Sequence, residues 1–140
     1  MKTTIVSALI ATTLVFATTQ NVALSHGIED SINYSKLQLD NLRKDKLEGT
    51  ENTEVIVSKV VIPPHTKLPK HWHPGEEFAY IIAGSVTLLQ DGKPDILGKE
   101  GDVIKVPLKQ VHTASTSDSG AVILVFRVHE IGKQERYLVD

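Results

Sequence analysis

From Glu54 onward the chain alternates apolar and polar residues at the period of a strand, and no stretch repeats at helical spacing. "EVIVSKVVI" (54–62) is rich in β-branched residues and stops at Pro63-Pro64. "FAYIIAGSVTLLQ" (78–90) is a long run with Gly84 in its middle. "DGKPD" (91–95) follows as a turn, with Asp91-Gly92 as its hairpin signal. "DVIKVP" (102–107) is a strand stopped by Pro107, and "VHTASTS" (111–117) is a short one leading into the turn "DSG". "AVILVFRVHEI" (121–131) is a long apolar strand. Short strands separated by frequent turn signals predict an all-β sandwich or barrel.

Before Thr53 the pattern is weaker. "KLQLD" (36–40) alternates as a half-buried strand would, and the charged, glycine-bearing "RKDKLEGTENT" (43–53) is expected to be a loop. Residues 26–35 are polar without a clear period and are expected to form an arm. At the start, Lys2 precedes an apolar run over residues 5–17. That run is shorter than the roughly 20 residues a membrane span needs, and it fits a secretory leader. Cleavage is expected after Ala17 or Ser25, which predicts a periplasmic or secreted protein with no membrane span after processing. The expected division is a leader (1–25), an arm with an edge strand (26–52), a barrel (53–132) and a C-terminal tail (133–140).

Composition removes several functions. The 140 residues carry a formal charge of −2, which favours neither nucleic acid nor an acidic membrane surface. The absence of cysteine excludes disulfides, thiolate catalysis and thiolate-bound metal. Any metal would be held by nitrogen and oxygen.

"HWHPGEEF" (71–78) raises that possibility. His71 and His73 lie on one face of a strand, with Cα atoms about 6.5–7 Å apart, so both imidazoles can lean on one ion. Whether Glu77 joins them depends on the turn at Pro74-Gly75. A two-residue hairpin loop pairs His73 with Glu76 and turns Glu77 away, whereas a three-residue loop pairs His73 with Glu77 and leaves Glu76 in solvent. A metal site requires the longer loop. Taken alone, the segment reads better as an exposed hairpin tip with polar residues.

A distant segment changes the balance. "GDVIKVPLKQVH" carries Gly101, Pro107 and His112. With it, "HWHPGEEFAYIIAG" resembles the first motif of the cupins, through His71, His73, Glu77 and Gly84, and the later segment resembles their second motif. The likeness covers roughly residues 55–128 and is closest to small single-domain, RmlC-like cupins. It implies a double-stranded β-helix (jelly-roll barrel) and one divalent transition metal (Fe, Mn, Ni, Cu or Zn) on His71, His73, Glu77 and His112. The chain departs from the pattern at His65 and Lys109, where the motifs carry glycine, and at Thr116, where the second motif ends in asparagine. None of these is a ligand position; the two former put turn geometry in question.

The resemblance implies a small-molecule metalloenzyme of dioxygenase, decarboxylase, lyase or isomerase type, or else a non-catalytic module that binds or senses a small ligand. A metal-free sugar-epimerase relative is disfavoured by the filled ligand set. Alternation places Ala79, Ile81, Ala114 and Thr116 on the face of the histidines, which makes a small apolar pocket. Lys59 and Arg127 interrupt apolar strands and are expected to be edge or snorkelling residues, with a carboxylate substrate as the other use. His65 is expected in a surface turn, and His26 as a mature N-terminus with little claim on copper. Trp72, Phe78, Tyr80 and Ile82 point outward and need cover, which predicts a homodimer.

Overall fold

The computed structural model describes residues 32–139, and every helix or strand in them is a strand. The expected leader, its cleavage positions and His26 lie outside the described residues. In chain order the strands are β1 (Gln38–Lys46), β2 (Thr53–Ile62), β3 (His71–Trp72), β4 (Gly75–Gln90), β5 (Ile96–Lys99), β6 (Val103–Val106), β7 (His112–Ser115), β8 (Ala121–Glu130) and β9 (Tyr137–Leu138). They run β1-β2-β8-β4-β7-β3-β9 across one curled antiparallel sheet, with β5 and β6 paired to β4.

The curl comes from β4. Its first part pairs with β8 and β6, and its last part pairs with β5 and β7, so one strand serves both walls. A bulge between Ile81 and Ala83 and a positive φ of 74° at Gly84 bend it there. A Cβ on Gly84 would sit 2.2 Å from the Gly120 carbonyl oxygen, so the corner requires glycine. Inside the curl, Val60, Ile62, Ile81, Val86, Ile104 and Ile123 form the centre of an apolar core. Deleting such a side chain, for example Ile81→Ala at 0% exposure, costs about 2–5 kcal/mol.

Three details differ from the sequence reading. Residues 43–46, expected in a loop, continue β1 as an edge strand paired to β2. Charge there signals a strand whose outer edge must stay in water, not a break in pairing. β5 was not expected, because its four residues are too few to show a period. The segment expected as a tail supplies β9, which pairs with β3.

The two glycine departures are accommodated in the backbone. His65 has a φ of 52° and Lys109 a φ of 56°, so both turns keep the left-handed conformation with a side chain in place. Each carries a cost of about 1 kcal/mol. His65 is a surface-turn residue as expected, with Nε2 3.2 Å from exposed Asp118. Of the four outward residues expected to need cover, two are covered within the chain. Trp72 stacks on Tyr137 at 4.2 Å, and Ile82 packs with Ile32, Tyr34 and Val61.

Candidate metal centre

His71 and His112 are direct cross-strand neighbours on β3 and β7, and His73 follows where the chain leaves β3. All three are buried, and their candidate ligand nitrogens lie within 4.8 Å of one another. The ring centroids are 4.4 to 5.2 Å apart.

The hydrogen bonds decide which nitrogen is available. Nδ1 of His71 donates to the Pro69 carbonyl at 2.8 Å, Nδ1 of His73 to the Glu135 carbonyl at 2.6 Å, and Nδ1 of His112 to the Gln110 carbonyl at 2.9 Å. A carbonyl can only accept, so each Nδ1 holds the proton and each neutral ring presents Nε2 as a bare lone pair. Burial, which opposes charging, pulls His71 down to about 4 from 6.5, although the Pro69 hydrogen bond opposes it. It also lowers His112, against the Gln110 hydrogen bond and the Glu77 charge.

Glu77 arrives by another route than a hairpin. β3 is paired to β7 and β9, not to β4, so Pro74-Gly75 does not close a two-stranded turn. The chain crosses here from one wall to the other. Gly75 serves close approach instead of a turn, since a Cβ there would meet Val128 O at 2.0 Å. On β4, Glu77 lies opposite Arg127 and Val106 and points inward with Ala79. Its Oε2 reaches 3.0 Å from His73 Nε2 but lies outside the group of mutually close imidazole nitrogens. Burial pushes its carboxyl up, but His73, His112 and Arg127 outweigh that and hold it below the usual range.

The contact between Glu77 and His73 carries the strongest hint of a ligand. His73 Nε2 is buried and has no hydrogen-bond partner. A lone pair on this nitrogen would face a carboxylate oxygen, and two acceptors at that distance repel unless a proton or a metal ion lies between them. The residues present therefore fit a metal ion.

Behind the histidines lies a cavity of about 80 Å³, walled by Val60, Ile62, Val86, Leu88, Ile104 and Ile123. Ala79 and Ala114 line it as expected. Ile81 instead belongs to the core beneath, and Thr116 is used structurally, with Oγ1 donating to the Pro63 carbonyl at 2.5 Å. Lys59 is exposed on β2, but Arg127 is drawn inside at 4% exposure. Its Nη2 donates to Ser58 Oγ at 2.8 Å and its Nη1 lies 3.4 Å from Glu135, which compensates the buried charge. Sequence reasoning missed Glu135, Arg136 and Leu39. The first two sit in a short charged segment with no period, and Leu39 was read only as part of an edge strand.

A fourth buried histidine, His129, follows Arg127 along the inner face of β8. Its Nε2 lies 3.3 Å from Glu54, whose carboxylate also pairs with Lys44 at 3.0 Å. Neither ring nitrogen of His129 makes a hydrogen bond. Burial lowers its pKa against the attraction of Glu54.

Comparison with known proteins agrees with this architecture. Residues 58–127 match the cupin domain. The fold resembles that of a cupin-like protein from Thermotoga maritima (24% identity, TM-score 0.61, over 74% of this chain and 75% of that one). It also resembles the DMSP lyase DddQ from Ruegeria pomeroyi (24% identity, TM-score 0.62, over 89% of this chain and 59% of that one). A third likeness is an RmlC-like cupin family protein with a double-stranded β-helix fold from Methanocaldococcus jannaschii (21% identity, TM-score 0.52, over 68% and 80%). At these identities the likeness concerns the fold. No curated protein matches the chain. With the matched domain spanning half of its residues and the strands curled as in those structures, this chain belongs to the cupin family.

Proposed function

We propose that this cupin binds one divalent transition metal through His71, His73, His112 and Glu77 and uses it on a small molecule held in the adjoining cavity. The observation that carries this reading is the set of three Nδ1–carbonyl bonds, which aim three bare Nε2 lone pairs at one place. Three neutral imidazoles and one carboxylate leave a divalent ion with a net positive charge. Such an ion acts as a Lewis acid, with positions left for a ligand. The protein's own residues do the rest. Carbonyls hold the rings, Arg127 sets the charge beside Glu77, and the apolar wall keeps water from the ligand.

Catalysis on a small molecule is the first reading. A non-catalytic binding module is the second, and one observation favours it: apart from the four ligand residues, the cavity wall offers two arginines and no acid or base. Metal analysis followed by turnover assays on carboxylates, phenols and thioethers separates the two. Stoichiometric metal with turnover supports the enzyme, and metal without turnover supports the binder. No metal overturns both.

Export to the periplasm or beyond rests on the apolar leader pattern of residues 5–17 and is tested by N-terminal sequencing of the secreted protein. Self-association rests on the outer face of the wall containing β4 and β8. There Phe78 lies opposite Phe126 and Tyr80 opposite Leu124, with Tyr80 and Phe126 exposed. A homodimer over this face predicts concentration-dependent sedimentation. A monomer throughout the micromolar range contradicts it.

A further inference from the structure

The curled sheet does not close through a ladder. β1 and β9 are its two end strands, and the gap between them is bridged by Asn41 Nδ2 donating to Glu135 Oε1 at 3.1 Å. The cavity reaches the surface at this seam. Of all the side chains that line it, only Leu39 and Arg136 are exposed, one from each side of the gap. Every other lining residue is buried or nearly so.

The two arginines of the wall differ in what they are free to do. Arg127 is engaged by Ser58, Glu135 and, at 3.9 Å, Glu77. Arg136 has no hydrogen bond or ion pair among the described residues. Its position is nonetheless fixed, because both neighbours are tied down. Glu135 accepts from His73 through its carbonyl and from Asn41 through its carboxylate, while Tyr137 pairs with Trp72 and stacks on it. An exposed arginine is ordinarily a solvated surface group. One held at the exposed rim of an apolar cavity is placed to meet an anionic group entering there.

Charge and volume define that ligand. Glu77 and Glu135 balance Arg127 and Arg136, so a divalent ion leaves two positive charges uncompensated at the polar end. An anion is favoured. The cavity, at about 80 Å³, has roughly half the ~150 Å³ at which an apolar protein cavity accepts benzene. An aliphatic body of about three or four carbons fits it, and an aromatic ring does not. We propose that Arg136 selects a short aliphatic monocarboxylate, which enters through the seam and lays its chain against Val60, Ile123 and Val125. The proposal rests on the metal reading for both of those positive charges, but Arg136 acts with or without the ion.

Titration calorimetry with butyrate, its neutral analogue butyramide and the longer octanoate tests this, on zinc-loaded and on metal-free protein. Butyrate is expected to bind at least about tenfold more tightly than butyramide, the size of one charge-assisted hydrogen bond. Octanoate is expected to bind more weakly than butyrate. In metal-free protein Arg136→Gln is expected to abolish the preference for the anion and in zinc-loaded protein to reduce it, while Arg136→Lys retains part of it, with zinc content and melting temperature unchanged in both. An anion preference that survives Arg136→Gln in metal-free protein, or is undiminished by it in zinc-loaded protein, overturns the proposal. So does its absence from the wild type in both forms, or tighter binding of octanoate than butyrate. Failure of zinc to load defeats the metal reading alone, because an Arg136-dependent preference in metal-free protein still supports this one.

Discussion

His73 and His129 are two buried histidines on the same interior, each 4% exposed and each about 3 Å from a carboxylate. They differ behind the ring. His73 is anchored through Nδ1 to the Glu135 carbonyl, and two other imidazoles anchored in the same way face it. Neither ring nitrogen of His129 makes a hydrogen bond among the described residues, and its neighbour Glu54 is shared with Lys44. Burial and a nearby acid are therefore not enough to mark a candidate metal ligand. The fixed tautomer and the convergence of lone pairs are.

The largest effect that sharpens this contrast is on metal content. His73→Ala or His112→Ala is expected to reduce zinc affinity by at least about a hundredfold, measured by competition with a chelator, because each removes one of four donors. His129→Ala is expected to leave it unchanged. Equal losses in the two clusters would erase the distinction. In the same experiment, zinc at a hundredfold excess over its Kd should stabilise the wild type by about 2.7 kcal/mol, a gain that His112→Ala lacks.

Acid should act on both clusters. In metal-free protein His71 titrates near 4 when folded and near 6.5 when unfolded. Between those values the unfolded chain binds more protons, so stability falls as pH drops from 6.5 towards 4, by roughly 3 kcal/mol for this group. The lowered pKa values of His112 and His129 act in the same direction. Denaturant titrations across this range should show the loss, and His71→Gln should reduce it. A wild type equally stable at both ends would contradict the buried neutral ring.

Ending the chain after Gln134 removes the carbonyl behind His73 together with β9. Loss of such an outer partner is expected to weaken metal binding by roughly 10–100-fold. Zinc affinity unchanged in the truncated protein would show that the anchor does not matter. The smallest effect concerns the backbone. Lys109→Gly relieves a positive φ and is expected to raise stability by up to about 1 kcal/mol without altering zinc content.

The strands and the three histidines were legible because their signals are local. Period 2 marks β2, β4 and β8, and the distant His112 is flagged by Gly101 and Pro107. The route by which Glu77 reaches His73 was not legible. A hairpin and a crossing between walls give the same parity at that position, and only long-range pairing tells them apart. β1 was cut short because charge on an edge strand looks like a loop. The anchors of the rings were invisible for a different reason: all three are backbone carbonyls, which any residue supplies. Arg136 was hidden because nothing near it in sequence says that both its neighbours are pinned.

The most direct test of the central claim is X-ray absorption spectroscopy of the zinc-loaded protein at one equivalent. The account predicts three imidazole nitrogens at about 2.0–2.1 Å and at least one oxygen at about 2.0–2.2 Å, with one nitrogen lost in His112→Ala and none in His129→Ala. A first shell of oxygen alone, or one that loses a nitrogen in His129→Ala, would contradict it.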